Sequence, residues 1–161
     1  MRHVGFFLGL LMAIAGGSLR AQPSHGYIYF APGQVACCGY HAMTLQFGVG
    51  GEAVLWKGLG AGAEVAAVGV RQDFGSSVLG VFSPNAYYHF IHGKDLRLDP
   101  FVTGGYSLMF RAGSENLFNF GGGTNYWFHR HLGAKLEFRD QVYTQFETLH
   151  YWGVRVGLSF R

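Results

Sequence analysis

The sequence predicts an all-β fold, an eight-stranded antiparallel up-and-down transmembrane β-barrel. Three observations carry this. The chain is 49% hydrophobic and only 13% charged, yet after its N-terminal segment no run approaches the ~20 apolar residues a spanning helix needs. Apolar and polar residues instead alternate in steps of two, the pattern of strands with one apolar face, and aromatics close that face at its ends. The 26 glycines weaken any helical reading and suit the close packing of a barrel wall.

Residues 1–21 read as a secretory signal peptide. Arg2 supplies the positive n-region, residues 4–15 an apolar h-region too short to span, and Ser18-Leu19-Arg20-Ala21 a cleavage region with small residues before a cut after Ala21. Residues 22–161 are then one barrel domain. The formal charge of +3 includes Arg2 and Arg20, which leave with the signal, so the mature chain is close to neutral. It carries no basic patch or nucleic-acid motif, which argues against a nucleic-acid partner.

Strand one is expected near residues 26–31, followed by an outer loop APGQVACCGYHA. Strand two, about 43–55, directs Leu45, Phe47, Val49, Ala53 and Leu55 outward and Gln46, Gly48, Gly50 and Glu52 inward. Trp56-Lys57-Gly58 is a tight turn. Strand three, about 59–70, faces Ala61, Ala63 and Val65 outward and Glu64 inward. Strand four, about 77–90, places Val78, Phe82, Pro84, Ala86, Tyr88 and Phe90 on one face. Proline cannot donate to a ladder, so a bulge is expected at Pro84. A turn at 92–95 leads to strand five, about 98–111, with Val102, Tyr106, Leu108 and Phe110 outward.

Strands six and seven form the clearest hairpin. Phe118, Phe120, Thr124, Tyr126 and Phe128 share one face, and Asn119, Gly121, Gly123 and Asn125 the other. Past a turn at 129–131, Leu132, Ala134, Leu136, Phe138 and Val142 alternate with Lys135, Glu137, Arg139 and Gln141. Strand eight covers about 148–161, where Trp152, Val154, Val156, Leu158 and Phe160 alternate with Tyr151, Gly153, Arg155, Gly157 and Ser159. An even strand number puts both termini on the periplasmic side, with WKG, HGKDL and HRH as short periplasmic turns.

A shift of 73 residues lays 47–64 over 120–137 without a gap, matching Phe47, Gly48, Gly50, Leu59, Gly60, Ala61 and Glu64 to Phe120, Gly121, Gly123, Leu132, Gly133, Ala134 and Glu137. The chain therefore reads either as two four-strand halves or as two hairpins converged under one physical constraint.

With its signal peptide, strand count, DPFVTGGYS and FGGGTNYWF…GAKLEFRD segments and terminal strand, the chain resembles the small bacterial outer-membrane β-barrel family of the OmpA/OmpX type. The last strand is similar to the segment the barrel-assembly machinery recognises, except that Arg161 follows Phe160. The resemblance implies a cell outer membrane location, with outer-membrane lipid and that machinery as partners. It transfers no function by fold alone.

The candidate site is a lumenal charge network of Glu52, Glu64, Lys135, Glu137, Arg139 and Arg155. Eight strands leave a lumen just wide enough for side chains, and an unpaired buried charge is costly. The network reads as a salt-bridge plug or as a narrow gated ion pathway. Cys37 and Cys38 are candidates for a vicinal disulfide in the first outer loop; His41 alone makes no metal site. The aromatics Tyr88, Phe90, Tyr106, Phe110, Tyr126, Trp127, Phe128 and Trp152 read as an interfacial girdle. Lipid A deacylases resemble this architecture and place His and Ser two apart on a lipid-facing strand, but no histidine here is followed so; Ser77 with His150 is the remaining cross-strand pairing. The histidines are expected at interfaces or turns.

The sequence therefore predicts an outer-membrane barrel with a structural or surface-interaction role in the cell envelope, without catalysis, metal or cofactor. A narrow porin-like channel is the alternative, and a lipid-modifying enzyme a further one. A soluble lipocalin-like barrel would reverse every face assignment.

Overall fold

The computed structural model describes residues 24–74, 78–91, 97–145 and 148–161. The expected signal peptide lies outside the described residues, as do Ser77 and the turn expected at 92–95. The described residues form eight strands, β1 (His25–Cys37), β2 (Tyr40–Trp56), β3 (Leu59–Val70), β4 (Leu79–His89), β5 (Leu98–Phe110), β6 (Ser114–Trp127), β7 (Leu132–Tyr143) and β8 (Leu149–Phe160), with one 3-10 turn at Arg71–Asp73. Each strand pairs antiparallel with the next, and β8 pairs with β1 to close the barrel. No described helix is long and apolar enough to cross a membrane.

The two-residue alternation sets the faces. Along β4, Val81, Ser83, Asn85, Tyr87 and His89 are buried while Phe82, Pro84, Ala86 and Tyr88 are exposed. Large apolar residues lie outside: Phe120 is 54% exposed, Leu136 52% and Val156 55%. This is the reverse of a soluble barrel and removes the lipocalin alternative.

Two expectations are corrected. The first outer loop is not a loop. β1 continues to Cys37, which pairs with Tyr40, and the strands join through Cys38 (φ 53°) and Gly39 (φ 81°). Positive φ at both central residues is the backbone of a type I′ hairpin turn, and Lys57 (φ 43°) and Gly58 (φ 85°) repeat it between β2 and β3. No bulge forms at Pro84. The β4–β5 register is the same at Phe82↔Leu108 and Asn85↔Gly105 on either side of it. Gly105, whose Cβ would overlap the Pro84 carbonyl, lets the strands approach without a ladder bond there. The register shifts instead between Val54 and Trp56 against β3.

The lumen is filled by side chains. Tyr27 and Tyr29 lie across β2 where it has no side chains of its own. A Cβ on Gly50 would sit 2.7 Å from Tyr27 Cζ, and one on Gly48 2.5 Å from Tyr29 Cζ.

Candidate functional site in the lumen

All six charged residues singled out in the sequence point into the lumen and are at most 4% exposed. On β7, Lys135, Glu137 and Arg139 alternate with Leu136 and Phe138, so one strand delivers three charges inward while its other face stays apolar.

Five of the six form one network. Arg155 Nη1 on β8 donates to both Glu64 oxygens on β3, at 2.8 and 2.9 Å, and lies 3.5 Å from Glu137 Oε1. Arg139 donates to the same Glu137 oxygen from Nε at 2.6 Å, and its Nη2 stands 2.5 Å from that oxygen as an ion pair. Its Nη1 donates to Asn119 Oδ1 at 2.7 Å and stands 3.9 Å from Glu64 Oε1. Lys135 Nζ is 3.3 Å from Glu137 Oε2 and lies over the rings of Phe101 and Tyr27 at 4.0 and 4.5 Å. The Tyr27 hydroxyl donates to Glu64 Oε2 at 3.1 Å. β3 and β7 stand on opposite walls of the eight-strand ring, so the guanidinium groups span the lumen between the two matching glutamates of the sequence repeat.

Glu52 has different partners. Its Oε1 lies 3.1 Å from His25 Nε2 and 3.0 Å from His89 Nε2, and His89 Nδ1 is 2.8 Å from Asp99. Asn125 joins Asp99 at 3.5 Å and accepts from Ser159 at 3.1 Å. This layer, toward the termini, was missed in the sequence, which expected histidines at interfaces or turns. The signal was their place in the alternation: His25 is in step with Tyr27 and Tyr29, and His89 with Ser83, Asn85 and Tyr87. Trp127 is corrected for the same reason. It shares the face of Asn119 and Asn125, is 4% exposed, and carries the Arg161 guanidinium 3.8 Å above its ring. The other seven girdle aromatics face outward and are exposed.

Among the described residues the buried carboxylates of Glu52, Glu64 and Glu137 thus each meet a cationic or histidine partner. Beside the two arginines, the cavity bounded by Gln46, Arg139, Gln141, Tyr151 and Arg155 measures about 10 Å³, the lower limit for one water. No group of three or more His, Cys, Asp or Glu among the described residues is arranged to hold a metal ion. Cys37 and Cys38 are joined at the β1–β2 turn, apart from the network. One ion pair lies on the outer wall, where His150 Nδ1 meets Asp140 Oδ2 at 2.8 Å.

No family model and no curated protein matches the sequence. Solved structures do match in fold. The chain is similar to the N-terminal β-barrel domain of Pseudomonas aeruginosa OprF, with a TM-score of 0.64 and 17% identity over 88% of this chain and 98% of that one. Neisserial surface protein A gives a TM-score of 0.68 and 9% identity over 87% and 97%. Ail, the attachment invasion locus protein of Yersinia pestis, gives 0.53 and 16% over 85% and 97%. The chain has the fold of the small eight-stranded outer-membrane barrels.

Proposed function

We propose that the chain resides in the outer membrane as a sealed barrel, with a structural or surface-interaction role in the cell envelope and neither transport nor catalysis. The observation that carries this reading is the bridge of Arg139 and Arg155 between Glu64 and Glu137, which fills the lumen at mid-height with paired charge. The exposed apolar wall supports a lipid partner, since so continuous an apolar surface is not kept in water. The alternating β8, ending near Phe160, is the segment offered to the assembly machinery. No lumenal carboxylate of the network stands apart from a cation, which leaves none placed as a free acid or base. Fractionation should recover the mature chain in the outer membrane, and refolded protein in planar bilayers should give no steady single-channel current. Recovery as a soluble periplasmic protein would overturn the location. Reproducible unitary conductance would overturn the seal and favour a narrow porin-like channel.

A further inference from the structure

The lumen changes chemistry toward the end away from the termini. There the inward positions on β4 to β8 include Leu79, Met109, Leu117, Tyr143, Leu149 and Tyr151, and with the β5–β6 turn they line a half-open cavity of about 500 Å³. Two of its lining residues, Met109 and Leu117, pack in the buried cluster with Ala66, Val68, Val81 and the two lumenal tyrosines. Toward the termini that cluster meets the charge network through Tyr27, which donates to Glu64.

Three observations distinguish it from packing space. The cavity beside Arg139 and Arg155 holds about 10 Å³; here the wall leaves about 500 Å³. The lining is apolar, and water in an apolar cavity lacks the partners it needs, whereas an apolar molecule does not. The size and the setting in a barrel mouth fall in the range of small-molecule sites, roughly 300–1,000 Å³. The charged lining residues, Arg111 and Glu115, lie at or next to the β5–β6 turn. Tyr143 and Glu115 both line that edge, and Arg111 stands on the same turn. Among the described lining residues, one cation, Arg111, and one carboxylate, Glu115, give no net preference for a charged head.

We propose that this vestibule binds a small uncharged amphiphile, its apolar body between Met109, Leu117 and Leu149 and its hydroxyl head at the Tyr143–Glu115 edge. The site needs no open path through the barrel and stands whether or not the lumen is sealed below it.

The test uses the refolded protein in phosphatidylcholine nanodiscs with a diazirine-bearing decanol, adducts being mapped residue by residue. The expected result is saturable labelling at Met109, Leu117 and Leu149, competed by unlabelled decanol, above a non-saturable background at outward residues such as Phe138 and Val154. Leu117→Trp, which fills the cavity, should abolish the mouth labelling and leave the background. Leu149→Trp, at a half-buried position, gives the same readout should the first variant fail to show the gel-mobility shift of a folded barrel. Labelling confined to outward residues, or mouth labelling that neither saturates nor falls in a folded cavity-filling variant, would overturn the proposal.

Discussion

Replacing Glu64 by Gln removes one lumenal charge while keeping the side chain's shape and an acceptor for Tyr27. In the native barrel Arg155 rests on Glu64 at 2.8 and 2.9 Å. Its other carboxylate, Glu137 at 3.5 Å, is already engaged by Arg139 at 2.5 Å and Lys135 at 3.3 Å. After the substitution one carboxylate faces three cations in a region where Arg155 and Arg139 are each 1% exposed. Removing one partner of a buried pair costs about 3–5 kcal/mol because the other is left uncompensated, and this geometry argues for the upper part of that range. Arg155→Met on its own should also destabilise, because Glu64 then keeps only the Tyr27 hydroxyl at 3.1 Å and Arg139 Nη1 at 3.9 Å. The double variant removes the stranded charge in each case, so it should be at least about 2 kcal/mol less destabilised than the two singles added together, within the range of contact coupling. The assay is reversible denaturant unfolding of the barrel in lipid vesicles, followed by tryptophan emission. Strict additivity, or a Glu64→Gln cost below about 1 kcal/mol, the level of an exposed pair, would refute the view that these charges are desolvated and interdependent.

Other substitutions probe facing and fill. Leu136→Arg on the outer wall should cost roughly 2–4 kcal/mol near the bilayer midplane, measured by the same unfolding; a cost no greater than that of a conservative polar change at lumenal Gln141 would invert the facing. Gly50→Ala should cost about 1–3 kcal/mol by overpacking, because its Cβ would meet the Tyr27 ring, while Gly113→Ala, with nothing within 4 Å, should be neutral; equal effects would contradict the lumenal packing. Of the three tryptophans, Trp127 alone points inward. In bilayers of brominated lipid, a variant carrying Trp56→Phe and Trp152→Phe should keep its fluorescence, and one retaining only Trp152 should be quenched; strong quenching of Trp127 would return it to the girdle.

Much of the wall was legible because an alternation of period two states both the strand and its facing. Glu64, Glu137, Arg139 and Arg155 were placed inward from parity alone. What parity could not give was how far each strand runs and which inward residues meet. β1 was cut short at Ala31 because Pro32 and the Cys37-Cys38-Gly39 segment look like loop, and the two-residue turn lacks the usual Asn-Gly or Asp-Gly. The His25–Glu52–His89–Asp99 layer joins four residues from β1, β2, β4 and β5; His25 faces Glu52 across the β1–β2 ladder, but only the curvature of the barrel brings that pair to His89 and Asp99. Trp127 was misplaced because an aromatic near a strand end suggests an interface, although its neighbour Tyr126 already held the outward position.

Arg155 lies 91 residues from Glu64 in the chain and arrives on the last strand. The hairpins from β1 to β7 can each form between neighbours, but the seam pairing Gly26 with Phe160 waits for the whole chain, the kind of distant contact that slows folding. Until β8 docks, two strand edges are open, which hydrocarbon does not tolerate, and Glu64 lacks its principal cation. Zipping the wall and discharging the interior are therefore a single late event. A chain ending before β8 would hold seven strands and still gain neither, and quality control acting on half-finished barrels would meet an electrostatic defect as well as a raw edge.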